Sequence, residues 1–107
     1  MSDIALVMRT LADPTRRALY ERVVRSGEAA VIELTRGSGV SQPAVSQHLK
    51  ALRVAGLVAE RREGRTTRYR ATQEGLAPLV DWIGVYGLFW ADRFAMFKSV
   101  LKEIDPK

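Results

Sequence analysis

The sequence predicts a mainly α-helical domain with one small β-hairpin, ordered as four helices, a hairpin and a long final helix. Three observations carry this. Apolar residues recur at helical spacing along most of the chain, most clearly Val45, Leu49 and Leu52 at i, i+4 and i+7. That period breaks once, after Gly56, where Leu57 to Arg62 and Thr66 to Arg70 flank a Glu63-Gly64-Arg65 turn. The length of 107 residues, 47% hydrophobic and 27% charged, suits a single domain with a thin core.

In chain order, Ile4 to Leu11 forms a short apolar helix. Ala12-Asp13-Pro14 ends it, because a residue before proline is pushed out of the helical region. Asp13 then caps a second helix with Pro14 at its first position, and Ala18, Leu19, Val23 and Val24 share its apolar face before Ser26-Gly27 closes it. A third, short helix fits Ala30 to Arg36, stopped by Gly37-Ser38-Gly39. Ser41 caps a fourth, Gln42 to Ala55, which Gly56 terminates. Thr72 caps the last, from about Gln73 almost to the end, with Pro78 tolerated in its first turns. No repeat or linker interrupts the order, so residues 1–107 read as one domain.

Several chemistries are excluded by composition. With no cysteine there is no disulfide, thiolate metal site or cysteine nucleophile, and a single histidine cannot make a multi-histidine site within one protomer. No metal and no cofactor is expected. Trp82 to Ala91 is a ten-residue uncharged stretch, well short of the roughly 18 residues a membrane span needs. Ile4 to Met8 is too short, and follows the wrong charge at Asp3, for a signal peptide. The expectation is a soluble, cytoplasmic protein with no membrane partner.

Charge is concentrated. The formal net charge is +5, and the window from Lys50 to Arg70 carries all of it, with seven cations against Glu60 and Glu63. Thirteen of the 17 cations are arginine, the planar donor suited to phosphate and guanine. The helix before this window has a polar face of Gln42, Ser46, Lys50 and Arg53 opposite its apolar stripe. A short helix, a glycine turn and such a helix form a helix-turn-helix pattern. In a major groove, Gln and Ser meet base edges while Lys and Arg meet guanine or phosphate. The basic hairpin beside it completes a winged helix-turn-helix, with the recognition helix at about 42–55 and the wing at about 57–71.

Four segments carry a family resemblance: Leu11 to Arg17 (LADPTRR), Val40 to Leu52 (VSQPAVSQHLKAL), Ala55-Gly56-Leu57-Val58, and Arg61 to Arg65 (RREGR). In this order, spread over roughly residues 4–104, they resemble the ArsR/SmtB family of bacterial repressors. The resemblance implies a homodimeric winged-helix repressor that binds double-stranded DNA at an imperfect inverted repeat and is nucleoid-associated when bound. It places Gln42, Ser46 and Gln47, with Pro43 between them, where bases are read. Ser41 and His48 lie near phosphates, and Arg62, Arg65 and Arg68 fall on the wing; Lys50, by its charge, is expected to hold phosphate with the wing arginines. Many relatives sense metals through cysteines before the recognition helix, where this chain has Val31-Ile32-Glu33-Leu34-Thr35, or through Asp and His pairs on the last helix, where it has Asp81 and Asp92 but no histidine. It resembles the members without a metal site, and the effector is unassigned.

A second function class is a winged-helix protein–protein module without DNA binding; the basic wing beside an uncharged Gln/Ser face discriminates against it. An enzyme is the weakest reading, since His48 has no partnering acid or nucleophile and Ser41 and Ser46 are explained by capping and an exposed face. Glu60 and Glu63, flanked by Arg61, Arg62 and Arg65, read as wing ion pairs.

Along the last helix Leu76, Val80, Ile83, Gly87, Trp90, Phe94, Phe97, Leu101 and Ile104 alternate spacings of four and three. That is the seam of helices that wrap each other. The expected dimer interface is therefore Ile83, Trp90, Phe94, Phe97 and Leu101, completed by Ile4, Leu6 and Val7, with dimerisation helices at about 4–11 and 73–104.

Overall fold

The computed structural model describes residues 3–104. The chain forms helices α1 (Ile4–Ala12) and α2 (Pro14–Ser26), strand β1 (Glu28–Ala30), helices α3 (Val31–Thr35) and α4 (Gln42–Val54), strands β2 (Val58–Glu63) and β3 (Thr66–Ala71), and helix α5 (Gln73–Ile104). The predicted helices and hairpin are present within about one residue. The strand β1 was not anticipated; it pairs antiparallel with β3, so the hairpin becomes a three-stranded sheet in the order β1-β3-β2.

Local chemistry explains the helix starts. The Asp3 carboxylate accepts from the Ala5 N–H, the Asp13 carboxylate from Arg16 N–H at 2.9 Å, and the Ser41 hydroxyl from Ala44 N–H. Glu33 reaches back to accept from Ala30 N–H at 2.8 Å at the start of α3. The wing turn is a two-residue loop, Gly64-Arg65, with Glu63 facing Thr66; Gly64 has φ +63°, which primed hairpin turns require.

The core gathers one face of each element. Val45, Leu49 and Leu52 of α4 are fully buried and pack with Leu19 and Val23 of α2, Leu34 of α3, and Val58 and Tyr69 of the sheet. Val24, expected on the same face as Val23, is half exposed.

Thr72 does something other than cap. Its hydroxyl donates to the Gly56 carbonyl at 2.6 Å and its N–H to the Leu57 carbonyl, tying the start of α5 to the end of α4. Gly75 lies in that same contact: a β-carbon there would stand 2.3 Å from the Gly56 carbonyl oxygen. Beyond this anchor Leu76 and Leu79 of α5 still pack on the core, and every described residue from Val80 onward is exposed.

Candidate nucleic-acid interface

Helix α4 has no acidic residue, and Ser41, Gln42, Pro43, Ser46, Gln47 and Lys50 are all exposed along it. Its position depends on the turn before it. Arg22, on α2, sends its guanidinium to the carbonyls of Leu34 at 2.7 Å, Arg36 at 2.9 Å and Glu33 at 3.0 Å, covering the C-terminal carbonyls of α3. The Ser38 hydroxyl lies 2.8 Å from the Thr35 carbonyl and accepts from Val40 N–H. The glycine-rich turn is thereby pinned, and α4 with it. Sequence reasoning assigned Arg22 no role; one arginine among thirteen carries no pattern that singles it out.

His48 is half-buried on the flank of α4. Its Nδ1 accepts from Arg16 Nε at 3.3 Å. The Asp13 carboxylate beside this pair titrates below its ordinary range, mainly because it accepts the Arg16 N–H and further because His48 and Arg16 are close.

On the wing, Arg65 and Gln42 line one recess of about 250 Å³ with Thr66 and Thr67, so the hairpin tip stands beside the N-terminus of α4. Arg62 and Arg65 are exposed and form no ion pair among the described residues. Arg68 differs. It bridges Glu63 at 3.2 Å and Glu33 at 3.6 Å and is about one-third exposed, so it braces the wing against α3. Arg61 likewise bonds Glu28 and Glu63. Hydrogen bonding from Arg61 holds the Glu28 carboxyl below its ordinary range. Glu60 pairs with Arg53 at 3.8 Å and accepts from the Tyr69 hydroxyl, whose pKa is raised first by burial and then by that carboxylate.

The sequence model described as "Bacterial regulatory protein, arsR family" matches residues 13–60, from the Asp13 cap to the first half of β2. An ArsR-like transcriptional regulator from Rhodococcus superposes with a TM-score of 0.68 at 31% identity, covering 90% of both chains. The chain belongs to the arsR family.

Among curated relatives of this arsR-family chain, the HTH-type transcriptional regulator Rv2034 of Mycobacterium tuberculosis is 51% identical over 71 residues, 66% of this chain and 65% of that protein. The first three curated relatives are matched over 54–65% of their own lengths. The homodimeric winged helix-turn-helix DNA-binding domain of a Mycobacterium bovis protein superposes with a TM-score of 0.63 at 32% identity, covering 78% of this chain and 77% of that one.

Within the arsR frame the terminal helices correct the expected interface. Val7 is fully buried in its own protomer's core, so it has no surface to offer a partner. Ile4 and Leu6 are half-buried, and Leu6 also packs on that core. On α5, Ile83, Trp90, Phe94, Phe97 and Leu101 are 45–61% exposed. The apolar surface is wider than the expected seam: Trp82, Tyr86, Phe89, Met96 and Val100 form a second exposed row one residue ahead of it. Arg93 interrupts that row, lying 4.4 Å over the Phe89 ring. An apolar notch of about 420 Å³ opens at Gly87 between Trp82, Tyr86, Trp90 and Phe94. Among the described residues no three His, Asp or Glu side chains gather as metal ligands, and no helix is long and apolar enough to cross a membrane.

Proposed function

We propose that this chain is a sequence-specific transcriptional repressor that binds an inverted-repeat DNA operator as a homodimer, in the bacterial cytoplasm, without metal, cofactor or enzymatic activity. One observation carries the reading: the acid-free outer face of α4 stands beside Arg65 of the wing, where Arg62 and Arg65 form no ion pair among the described residues. Gln42, Ser46 and Gln47 offer paired donors and acceptors for base edges. Lys50, Arg62 and Arg65 supply charge for phosphates, and Ser41 and His48 lie where backbone oxygens pass. The homodimeric state of the Mycobacterium bovis domain and the exposed apolar rows of α5 support two such surfaces related by a two-fold axis. Recognition helices about 34–36 Å apart match successive turns of one DNA face.

Selection of bound duplexes from a random pool, followed by footprinting, tests this. The expected product is a pseudo-palindrome with half-sites about one helical turn apart. Retention of all duplexes alike, or of none, contradicts it, and the second outcome favours the protein–protein module.

A further inference from the structure

A cleft of about 560 Å³ lies between α1, the start of α2 and the second half of α4, on the side of the recognition helix away from the wing. Three cations line it: Arg9, Arg16 and Lys50. Among the described residues no carboxylate does. Arg16 is held in place, with Nε on His48 and Nη1 on the Thr10 carbonyl at 3.4 Å. The nearby Asp13 carboxylate, which does not line the cleft, accepts the Arg16 main-chain N–H and offsets part of the Arg16 charge, leaving Arg9 and Lys50 as the cations that face the opening. Arg9 and Lys50 are exposed and form no ion pair among the described residues. Cations of one sign converging in a concave site focus their field on whatever enters. The rest of the lining includes Leu6, Ala51 and Val54, an apolar surface with nothing to offer a bare phosphate. The volume falls within the roughly 300–1,000 Å³ of small-molecule sites.

We propose that this cleft binds a small organic anion, a phosphate or carboxylate on an apolar body, and that its occupant competes with DNA for Lys50 and Gln47. The charged group sits among Arg9, Arg16 and Lys50 while the body covers Leu6, Ala51 and Val54. Lys50 and Gln47 line the cleft and also belong to the exposed face of α4, so a bound anion withdraws both from the groove. The competition rests on the operator-binding reading of α4; occupancy of the cleft does not.

The test separates the two. Phenyl phosphate is titrated into the isotope-labelled full chain without DNA, beside benzyl alcohol, which lacks the charge, and inorganic phosphate, which lacks the body. Saturable shifts are expected at the amides of Thr10, Gln47 and Ala51 with phenyl phosphate alone. Binding should weaken at least tenfold in Arg9→Gln/Lys50→Gln and also in Val54→Glu, all exposed positions. Shifts confined to the wing or α5, unchanged binding by both variants, or inorganic phosphate binding as tightly as the ester overturns the site; the last outcome marks a plain seat for a DNA backbone phosphate. With a selected duplex, saturating phenyl phosphate should release the protein, and Arg9→Gln should need at least tenfold more. Unchanged duplex retention with the cleft saturated overturns the competition. A chain that takes the probe in the cleft but retains no duplex overturns the operator reading and leaves the anion site standing.

Discussion

The guanidinium of Arg22, on α2, donates to the Leu34 carbonyl of α3 at 2.7 Å and reaches the Arg36 and Glu33 carbonyls from the same position. A five-residue helix has no independent stability in water, and α3 is five residues long. Its last turn is therefore held from outside, by a residue twelve positions earlier.

Removing that clamp should destabilise the fold and misplace α4 together. Arg22→Ala is expected to cost about 1.5–3 kcal/mol, the range for hydrogen bonds to a charged group. The urea midpoint reports it. Operator affinity should fall with the order of preferred bases unchanged, and Arg22→Lys, which cannot reach three carbonyls as a fork, should recover only part of the loss.

A second packing constraint lies at Gly75. Its missing β-carbon admits the backbone of Gly56 and Leu57, and those atoms cannot rotate away as a side chain could. Gly75→Ala should lower stability by about 1–3 kcal/mol, as overpacking does. Gly84→Ala, with open space around it on the same helix, should be neutral or better. Equal melting temperatures for the two variants would contradict the close approach.

The stripe of Val45, Leu49 and Leu52 was legible in the sequence because burial repeats with the helical period, and all three are fully buried. Strand β1 was not: three residues have no room for alternation, and their partner Arg68-Tyr69-Arg70 lies about forty positions downstream. Val7 and Leu6 illustrate another limit. One residue on a helix is a rotation of about 100°, and which of two adjacent apolar residues turns inward depends on the neighbour that arrives. The wing charges were legible as a cluster. Arg68 pairs with Glu63 inside the hairpin and with Glu33 of α3, the second a tertiary event, while Arg62 and Arg65 form no ion pair among the described residues.

Base reading and phosphate holding should separate by mutation. Gln42→Ala or Gln47→Ala is expected to cost about 1–3 kcal/mol on the preferred duplex and to relax base choice at one position. Arg65→Ala should weaken all duplexes alike and reduce the slope of log affinity against log salt by about one. Arg68→Ala should have the smaller effect on that slope, since its charge is already met by Glu33 and Glu63. A larger effect of Arg68 than Arg65 would reverse the assignment.

Stability should respond to acid through Asp13 and Glu28. Both carboxyls titrate below their ordinary values in the folded chain, the first through the Arg16 N–H and the second through Arg61. A depressed folded pKa means the unfolded chain takes up protons first. The contribution is therefore fully present above the unfolded values of about 4 and is lost as pH falls through the folded ones. Melting temperature followed by circular dichroism should fall below about pH 4, and less steeply in Asp13→Asn/Glu28→Gln. Asn keeps the capping oxygen, so the variant tests the charge and not the cap.

Dimerisation through α5 is the remaining prediction. Trp90 is 45% exposed, Phe94 and Phe97 61% each, and a second row of Trp82, Tyr86 and Phe89 lies beside them. Each large aromatic side chain carries roughly 150–250 Å². Half of that, summed over six rings, already matches the few hundred Å² of apolar patch a monomer tolerates, before Ile83, Met96, Val100 and Leu101 are added. A helix with two adjacent apolar rows has room for more than one neighbouring helix, and the notch at Gly87 can admit a partner's ring. Sedimentation at micromolar concentration should give twice the 11.9 kDa of the chain. Trp90→Asp places a charge in the middle of the seam and should yield a monomer with greatly reduced operator affinity, because each half-site then binds alone. Leu88→Ser makes the control: Leu88 is 81% exposed on the side of α5 away from both rows, and its loss should leave the dimer intact. A folded Trp90→Asp dimer, or a wild-type monomer that grips a single half-site with full affinity, contradicts the interface.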